Sequence, residues 1–359
     1  MKILTIVGAR PQFVKAAVVS RAIASYHGIE EKIVHTGQHH DANMSDVFFE
    51  EMEIPKPAYH LGIHGLGHGA MTGQMMEKLE QLFQKEQPDA VLVYGDTNST
   101  LAGALTACKL HIPVAHVEAG LRSFNMRMPE EVNRILTDRV SKWLFCPTQT
   151  AVDNLKREGF PFSGMEIQLS GDVMQDAAIY YAERSSEKSA IITRLGIESF
   201  VLCTIHRAEN TDDLSRLREI TAALAGIHHE TPVICPLHPR TRKLAEENGI
   251  DMPFTVIDPV GYFDMIELLK HCRAVVTDSG GLQKEAYFFS RPCITLRDET
   301  EWTELIQAGC NILAGASREK ILECWSTLPQ RRADFATRLY GDGNAANKIL
   351  ERLLNTPWT

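Results

Sequence analysis

The run from residue 91 to residue 134, VLVYGDTNSTLAGALTACKLHIPVAHVEAGLRSFNMRMPEEVNR, constrains the fold more than any other stretch. Two apolar runs, 91–94 and 114–117, have the length of buried strands, and 99–110 between them reads as a helix. Strands without polar alternation are buried on both faces, as in a parallel sheet covered by helices. The run is therefore a βαβ unit, whose ligands bind beyond the carboxyl ends of the strands. Those ends deliver Asp96 and Glu118, and Glu130-Glu131 opens the helix that follows Pro129. Two readings stand for these acids. Asp96 caps the helix after Gly95 while Glu130 and Glu131 complement the dipole of theirs. Alternatively, the carboxylates converge on a ligand, where close acids push each other's pKa apart and form acid/base pairs.

With 359 residues the chain exceeds what one hydrophobic core usually supports, so two domains are expected. It holds no apolar run long enough to span a bilayer. The start, MKILTIVGARPQ, turns polar too soon for a signal peptide and reads as a first strand, Lys2–Val7. A formal charge of -9 and the lack of any dense Lys/Arg cluster exclude a nucleic-acid surface. The eight cysteines are scattered, with no CxxC pair and no zinc-ligand spacing, as expected of reduced core thiols in a cytoplasmic protein.

The first strand ends in Gly8-Ala9-Arg10-Pro11, ahead of an amphipathic helix over 12–25. Its free N–H groups, with Arg10 and Lys15, either receive an anion or form a plain turn beside a solvated lysine. His39, His40 and Asp41 invite a metal, but neighbours on an extended segment point opposite ways and no HxxxH companion exists; none is expected. Residues 65–70 satisfy G-x-G-x-x-[GA], yet no strand precedes them, so they read as a glycine loop before a helix over 71–84 rather than as a dinucleotide site. A strand over 143–146 and a helix over 148–159 lead to the Pro/Gly-rich run 160–171, which places the domain boundary near 168.

A second α/β series occupies 169–343. Strands over 200–204, 233–236, 256–257, 274–277 and 292–296 end in His206-Arg207, in His238-Pro239-Arg240, in Asp258-Pro259, in Asp278-Ser279-Gly280-Gly281 and in Arg297-Asp298-Glu299. All these clusters fall on one rim of a doubly wound sheet. The Ser279-Gly280-Gly281 turn is the best phosphate candidate, because glycines admit the backbone and a helix start offers N–H donors. Glu285, one turn on, either accepts from sugar hydroxyls or is a solvated helix residue. His206, Arg207, His238 and Arg240 supply positive charge for a diphosphate. A final helix over 344–354, within a segment 344–359, is placed to pack back across the junction onto the first domain.

Two doubly wound domains facing each other across a cleft resemble the GT-B architecture of nucleotide-sugar enzymes. GARPQFVK, HTGQHHD, YGDTNSTLAGAL, HVEAGLRSFNMRMPEEVNR, HRAEN, PLHPRTR, TDSGGLQKEA and LRDETEWTEL together resemble the non-hydrolysing UDP-N-acetylglucosamine 2-epimerase family over nearly the whole chain. The resemblance implies a cofactor-free reaction on a UDP-2-acetamido sugar, by anti elimination of UDP to a 2-acetamidoglycal and re-addition on the opposite face. It implies Asp96, Glu118 and Glu130 as the acid/base set and His206 as an aid near the diphosphate. Arg10, Lys15, Arg134, Ser279, Gly280, Gly281 and Glu285 would hold substrate, with Glu285 on the ribose, and a homodimer is expected.

Three departures narrow the substrate. Trp302-Thr303 stands where the commoner pattern has Arg-Pro, GARPQ where many members have GTRPE, and YGDTNST where many have HGDTTTT. These forms resemble the branch acting on UDP-2,3-diacetamido-2,3-dideoxy-glucuronate, which supplies a mannuronate sugar for surface polysaccharide; UDP-N-acetylglucosamine is the alternative. The C6 carboxylate of a glucuronate calls for a basic partner, Arg122 or Arg127, unless these pair with Glu130 or Glu131. A GT-B glycosyltransferase would share the fold and the UDP site without needing three acids in the first domain. A nucleotide-sugar sensor would bind without turnover.

Overall fold

The computed structural model describes residues 1–38, 52 and 54–355. His39, His40 and Asp41 lie outside the described residues, as does the side chain of Arg10. Among the described residues, seven strands form the first sheet: β1 Lys2–Val7, β2 Glu30–His35, β3 Tyr59–His60, β4 Ala90–Tyr94, β5 Val114–Val117, β6 Trp143–Cys146 and β7 Glu166–Leu169, in the order β3-β2-β1-β4-β5-β6-β7. Six form the second: β8 Val201–Thr204, β9 Val233–Pro236, β10 Thr255–Ile257, β11 Ala274–Thr277, β12 Cys293–Thr295 and β13 Asn311–Leu313, in the order β10-β9-β8-β11-β12-β13. All of these neighbours pair in parallel. Both sheets are thus doubly wound, with their switch points between β1 and β4 and between β8 and β11.

The strands at and beside the switch points are mostly apolar because helices bury both faces. Every residue of β4, β5 and β11 is buried. Behind the first sheet, Met71, Met75, Leu79, Leu82 and Phe83 of helix His68–Glu86 join Leu4, Ile6, Val91 and Val93 in one core cluster. That helix begins inside the expected glycine loop, with Gly67 as its N-cap.

The chain divides into Met1–Ala177 with Leu339–Thr359, and Ala178–Arg338. The first unit extends past the expected 168 because the Pro/Gly-rich run ends in an edge strand: β7 pairs with β6 from Trp143 opposite Glu166 to Cys146 opposite Leu169. Helix Val173–Lys188 then carries the chain from one unit to the other. Helix Ala345–Leu354 packs against helix Arg10–Ala24 of the first unit and buries Ala345, Ala346, Ile349, Leu350 and Leu353. The Ala346 N–H caps the packing by donating to Asp176 Oδ2 at 2.8 Å. Among the described residues no helix is long and apolar enough to cross a membrane.

Candidate active site

In the first unit, Gly8 follows β1 where no side chain fits: an added Cβ would collide with Thr36 Oγ1 and Ser99 Oγ. The next residues open helix Arg10–Ala24. The N–H groups of Gly8 and Ala9, expected to be free for an anion, both donate to Gln12 Oε1, at 2.8 and 3.0 Å. Gln12 Nε2 in turn donates to Tyr94 O at 2.8 Å and to the hydroxyls of Thr97 and Thr100 at 3.0 and 2.9 Å. One glutamine therefore stitches the turn after β1 to the turn after β4. Lys15 is not solvated; it is buried and ion-paired with Glu118.

Asp96 is not the helix cap. Thr97 is, accepting from Thr100 N–H, which leaves the Asp96 carboxylate partly exposed and paired with Arg134. Asn133 Nδ2 donates to Asp96 O at 2.9 Å. Glu118 follows β5 in a left-handed conformation, φ 75°, and is buried on Lys15. Gly95 closes the space beside that pair: an added Cβ would sit 3.3 Å from Glu118 Oε2 and 3.4 Å from Lys15 Nζ. Glu130 is exposed in the first turn of helix Pro129–Val140. Residues three and four apart share a helix face. Glu130 thus stands on the face whose next turn, Asn133 and Arg134, holds Asp96.

Glu131, by contrast, is buried. It accepts from Ser123 N–H and Phe124 N–H, each at 2.9 Å, and from Arg134 Nη1 at 3.0 Å, anchoring the loop before its own helix. Arg134, expected to hold substrate, is buried between Asp96 and Glu131 and acts as their counterion. Arg122 requires a second correction: it is buried and meets Asp138 at 2.7 Å and both oxygens of Glu158 at 2.7 and 2.9 Å. Burial opposes its charge, but those carboxylates raise its pKa further and reach all three guanidinium nitrogens. Arg127 remains exposed.

In the second unit, Ser279 caps helix Gly280–Phe288, its Oγ accepting from Leu282 N–H at 3.3 Å. Gly280 is required, because a Cβ there would lie 2.6 Å from Glu301 Oε1, and Glu301 is pinned by the buried Arg297 at 2.8 Å. Glu285 is buried, not solvated. Trp302 is buried next to this turn and lies under Lys284, whose Nζ is 4.1 Å from the ring centre.

Asp278 organises the rest. Fully buried, it accepts from the N–H groups of His206 and Arg207 and from Asn210 Nδ2, all near 3.1 Å, and faces His206 Nδ1 at 3.0 Å. Burial raises its pKa, yet these donors outweigh burial and hold it below the usual carboxylate range. An ionised Asp278 accepts a hydrogen bond from Nδ1–H, which leaves Nε2 as the other nitrogen of a half-exposed ring. His238 caps helix Pro239–Glu247 through Nδ1, and Arg240 reaches Asp212 at 2.8 Å in an exposed pair. Arg207 is partly exposed. Among the described residues no three His, Cys, Asp or Glu side chains cluster as a metal site would.

Each switch point thus carries a polar constellation, carboxylates in one unit and anion donors in the other. A family profile described as UDP-N-acetylglucosamine 2-epimerase matches residues 21–354. The chain belongs to this family. A Pseudomonas aeruginosa relative named UDP-2,3-diacetamido-2,3-dideoxy-D-glucuronate 2-epimerase is 56% identical over 98% of this chain and 99% of that protein. A Methanocaldococcus jannaschii UDP-GlcNAc 2-epimerase, solved with UDP-GlcNAc and UDP, superposes with a TM-score of 0.91 at 38% identity, covering 99% of this chain and 100% of that one. The Neisseria meningitidis enzyme bound to UDP-GlcNAc gives 0.89 at 30% identity, covering 99% and 100%. Within this family frame, Gln12, Asp278 and Glu301 are contributors that sequence reasoning missed, though Gln12 at the third helical position and Asp278 within TDSGG both carried a local signal.

Proposed function

We propose that the chain interconverts UDP-2,3-diacetamido-2,3-dideoxy-glucuronate and its C2 epimer. The observation carrying this reading is the first unit's set of three carboxylates in three settings: Glu118 buried on Lys15, Asp96 clamped by Arg134, and Glu130 exposed on the same helix face as that clamp. The C2–H bond breaks to a carboxylate and its electron pair forms C1=C2 as the C1–O bond to UDP breaks. UDP then re-adds at C1 while a second acid protonates C2 from the opposite face. A proton that weakly acidic leaves only if the departing diphosphate is stabilised at the same moment.

That stabilisation falls to the second unit's set. The N–H groups at Ser279-Gly280-Gly281 and a His206 that also carries a proton on Nε2 receive the diphosphate, and Glu285 receives the ribose, with Arg10, Arg207 and Arg240 adding charge; His238, whose Nδ1 accepts as the cap of its helix, adds none. Lys15 acts through Glu118. The relative at 56% identity supports the diacetamido-glucuronate as substrate, and Arg127 is the cation for its C6 carboxylate. A cytoplasmic homodimer that supplies a mannuronate sugar for surface polysaccharide fits this reading.

Substrate labelled with ¹⁸O in the C1–O–P bridge tests the bond broken: the label should scramble into the non-bridging β-phosphate positions during epimerisation. Epimerisation with the label retained would overturn elimination. Arg127→Ala should weaken turnover of the glucuronate far more than that of UDP-N-acetylglucosamine, and equal loss on both would remove its role.

A further inference from the structure

His116, on β5, is wholly buried between two acceptors. Its Nδ1 lies 2.7 Å from Asp138 Oδ1 and its Nε2 lies 2.7 Å from Gly95 O. A carbonyl oxygen only accepts, so Nε2 must carry a proton. Asp138 Oδ2 accepts from Arg122 Nη1 at 2.7 Å and from Gly120 N–H at 3.2 Å. Asp138 is held below the ordinary carboxylate range: burial works against it, but His116 and Arg122 prevail. An ionised Asp138 can only accept, so Nδ1 carries a proton as well. Turning the ring over would set carbon atoms against both acceptors.

The partners of this pair lie on three separate elements. Gly95 immediately precedes Asp96. Gly120 follows Glu118 by two residues in the turn after β5, whose Glu118 and Ala119 N–H groups are fixed on Phe145 O at 3.1 and 3.0 Å. Asp138 lies on helix Pro129–Val140, which opens with Glu130. The charges in the cluster balance, His116 and Arg122 against Asp138 and Glu158, and Lys15 and Glu118 neutralise each other on the far side of Gly95. What the cluster gives the site is therefore geometry rather than net field.

We infer that His116 is a doubly protonated positioning residue, and that the His116–Asp138 pair ties together the three elements that carry Asp96, Glu118 and Glu130. This inference rests on the epimerase reading for its catalytic consequence but not for its protonation. A neutral imidazole donates from only one ring nitrogen, and misplacing a reacting group by about 1 Å costs about 100-fold in rate.

Nitrogen-15 spectra of the histidine-labelled protein, with His116 assigned by its loss in His116→Asn, test the charge. Both ring nitrogens should appear protonated with slowly exchanging protons; one unprotonated nitrogen would overturn the assignment. His116→Asn should lower kcat about 100-fold while KM for the UDP-sugar changes less than about threefold, as expected for misplaced acids beside an intact UDP site. Asp138→Asn should give the same split and remove one ring proton from His116. If His116→Asn does not fold, Asp138→Asn and the wild-type spectrum still decide. Unchanged kcat in a folded variant overturns the positioning role. Failure of the wild type to epimerise either UDP-sugar overturns the functional reading instead, and leaves the ring spectrum to judge the charge.

Discussion

The two switch points use the same topology for opposite ends. In the first unit the cations Lys15, Arg134 and Arg122 are buried and already matched by carboxylates, so what faces outward is acid, Asp96 and Glu130. In the second unit the carboxylate Asp278 is buried and matched, while His206, Arg240 and the glycine turn face outward. Burial sorts the charges by cost. A buried ion persists only when paired: Arg134 is buried and leaves its partner Asp96 at the surface, whereas Asp278 is buried and leaves its partner His206 there. On the proposed function, one rim handles protons and the other receives an anion.

The comparison breaks most visibly if acids and anion donors are exchanged in effect. Asp96→Asn and Glu118→Gln should each lose about 10²- to 10⁴-fold in turnover while UDP binds as before, measured by initial rates and by calorimetric titration with UDP. Loss of UDP affinity without loss of rate would reverse the roles assigned to the two rims. Gly280→Ala should act the other way, weakening UDP about tenfold with a smaller effect on kcat, because its methyl group would press on Glu301.

The amino ends of the first sheet serve a third purpose. Glu86, closing helix His68–Glu86, pairs with Lys32 at 2.7 Å and Lys2 at 3.4 Å and also accepts from Tyr59. The bond from Lys32, with help from Tyr59, lowers its pKa from 4.5 to about 2. A carboxyl whose folded pKa is depressed contributes stability in full above its unfolded pKa and loses it as pH falls through the folded one. Unfolding by urea should therefore show stability falling between about pH 4.5 and about pH 2. Glu86→Gln should flatten that fall without touching turnover at neutral pH. The smallest effect belongs to Arg240→Ala, whose pair with Asp212 is exposed on both sides; UDP affinity should change by no more than about twofold.

The fold was legible where strands are buried on both faces. β1, β5, β6, β9 and β11 occur at the expected residues because runs such as Ala-Val-Val-Thr have no polar face to confuse them. β3 and β13 are shorter, and with β7 they lie at the sheet edges, where half-exposed residues such as Glu166 and Gln168 interrupt the apolar signal. The site was legible as residue types after strands. It was not legible as partnerships, because Arg122 with Glu158 and Arg134 with Asp96 are far apart in the chain and meet only through the sheet's order. Arg122 looked like a free cation for that reason. Asp278 was visible as a letter in TDSGG, but its command of His206 depends on β8 and β11 being neighbours.

Proton NMR in deuterated water, with UDP-2,3-diacetamido-2,3-dideoxy-glucuronate and separately with UDP-N-acetylglucosamine, tests the central claim most directly. Deuterium should enter C2 of a new manno-configured UDP-sugar, and from the glucuronate alone. Entry only from UDP-N-acetylglucosamine would contradict the assigned substrate. Tight UDP binding with no exchange from either sugar would contradict the assignment of Asp96, Glu118 and Glu130 as acids and bases at C2.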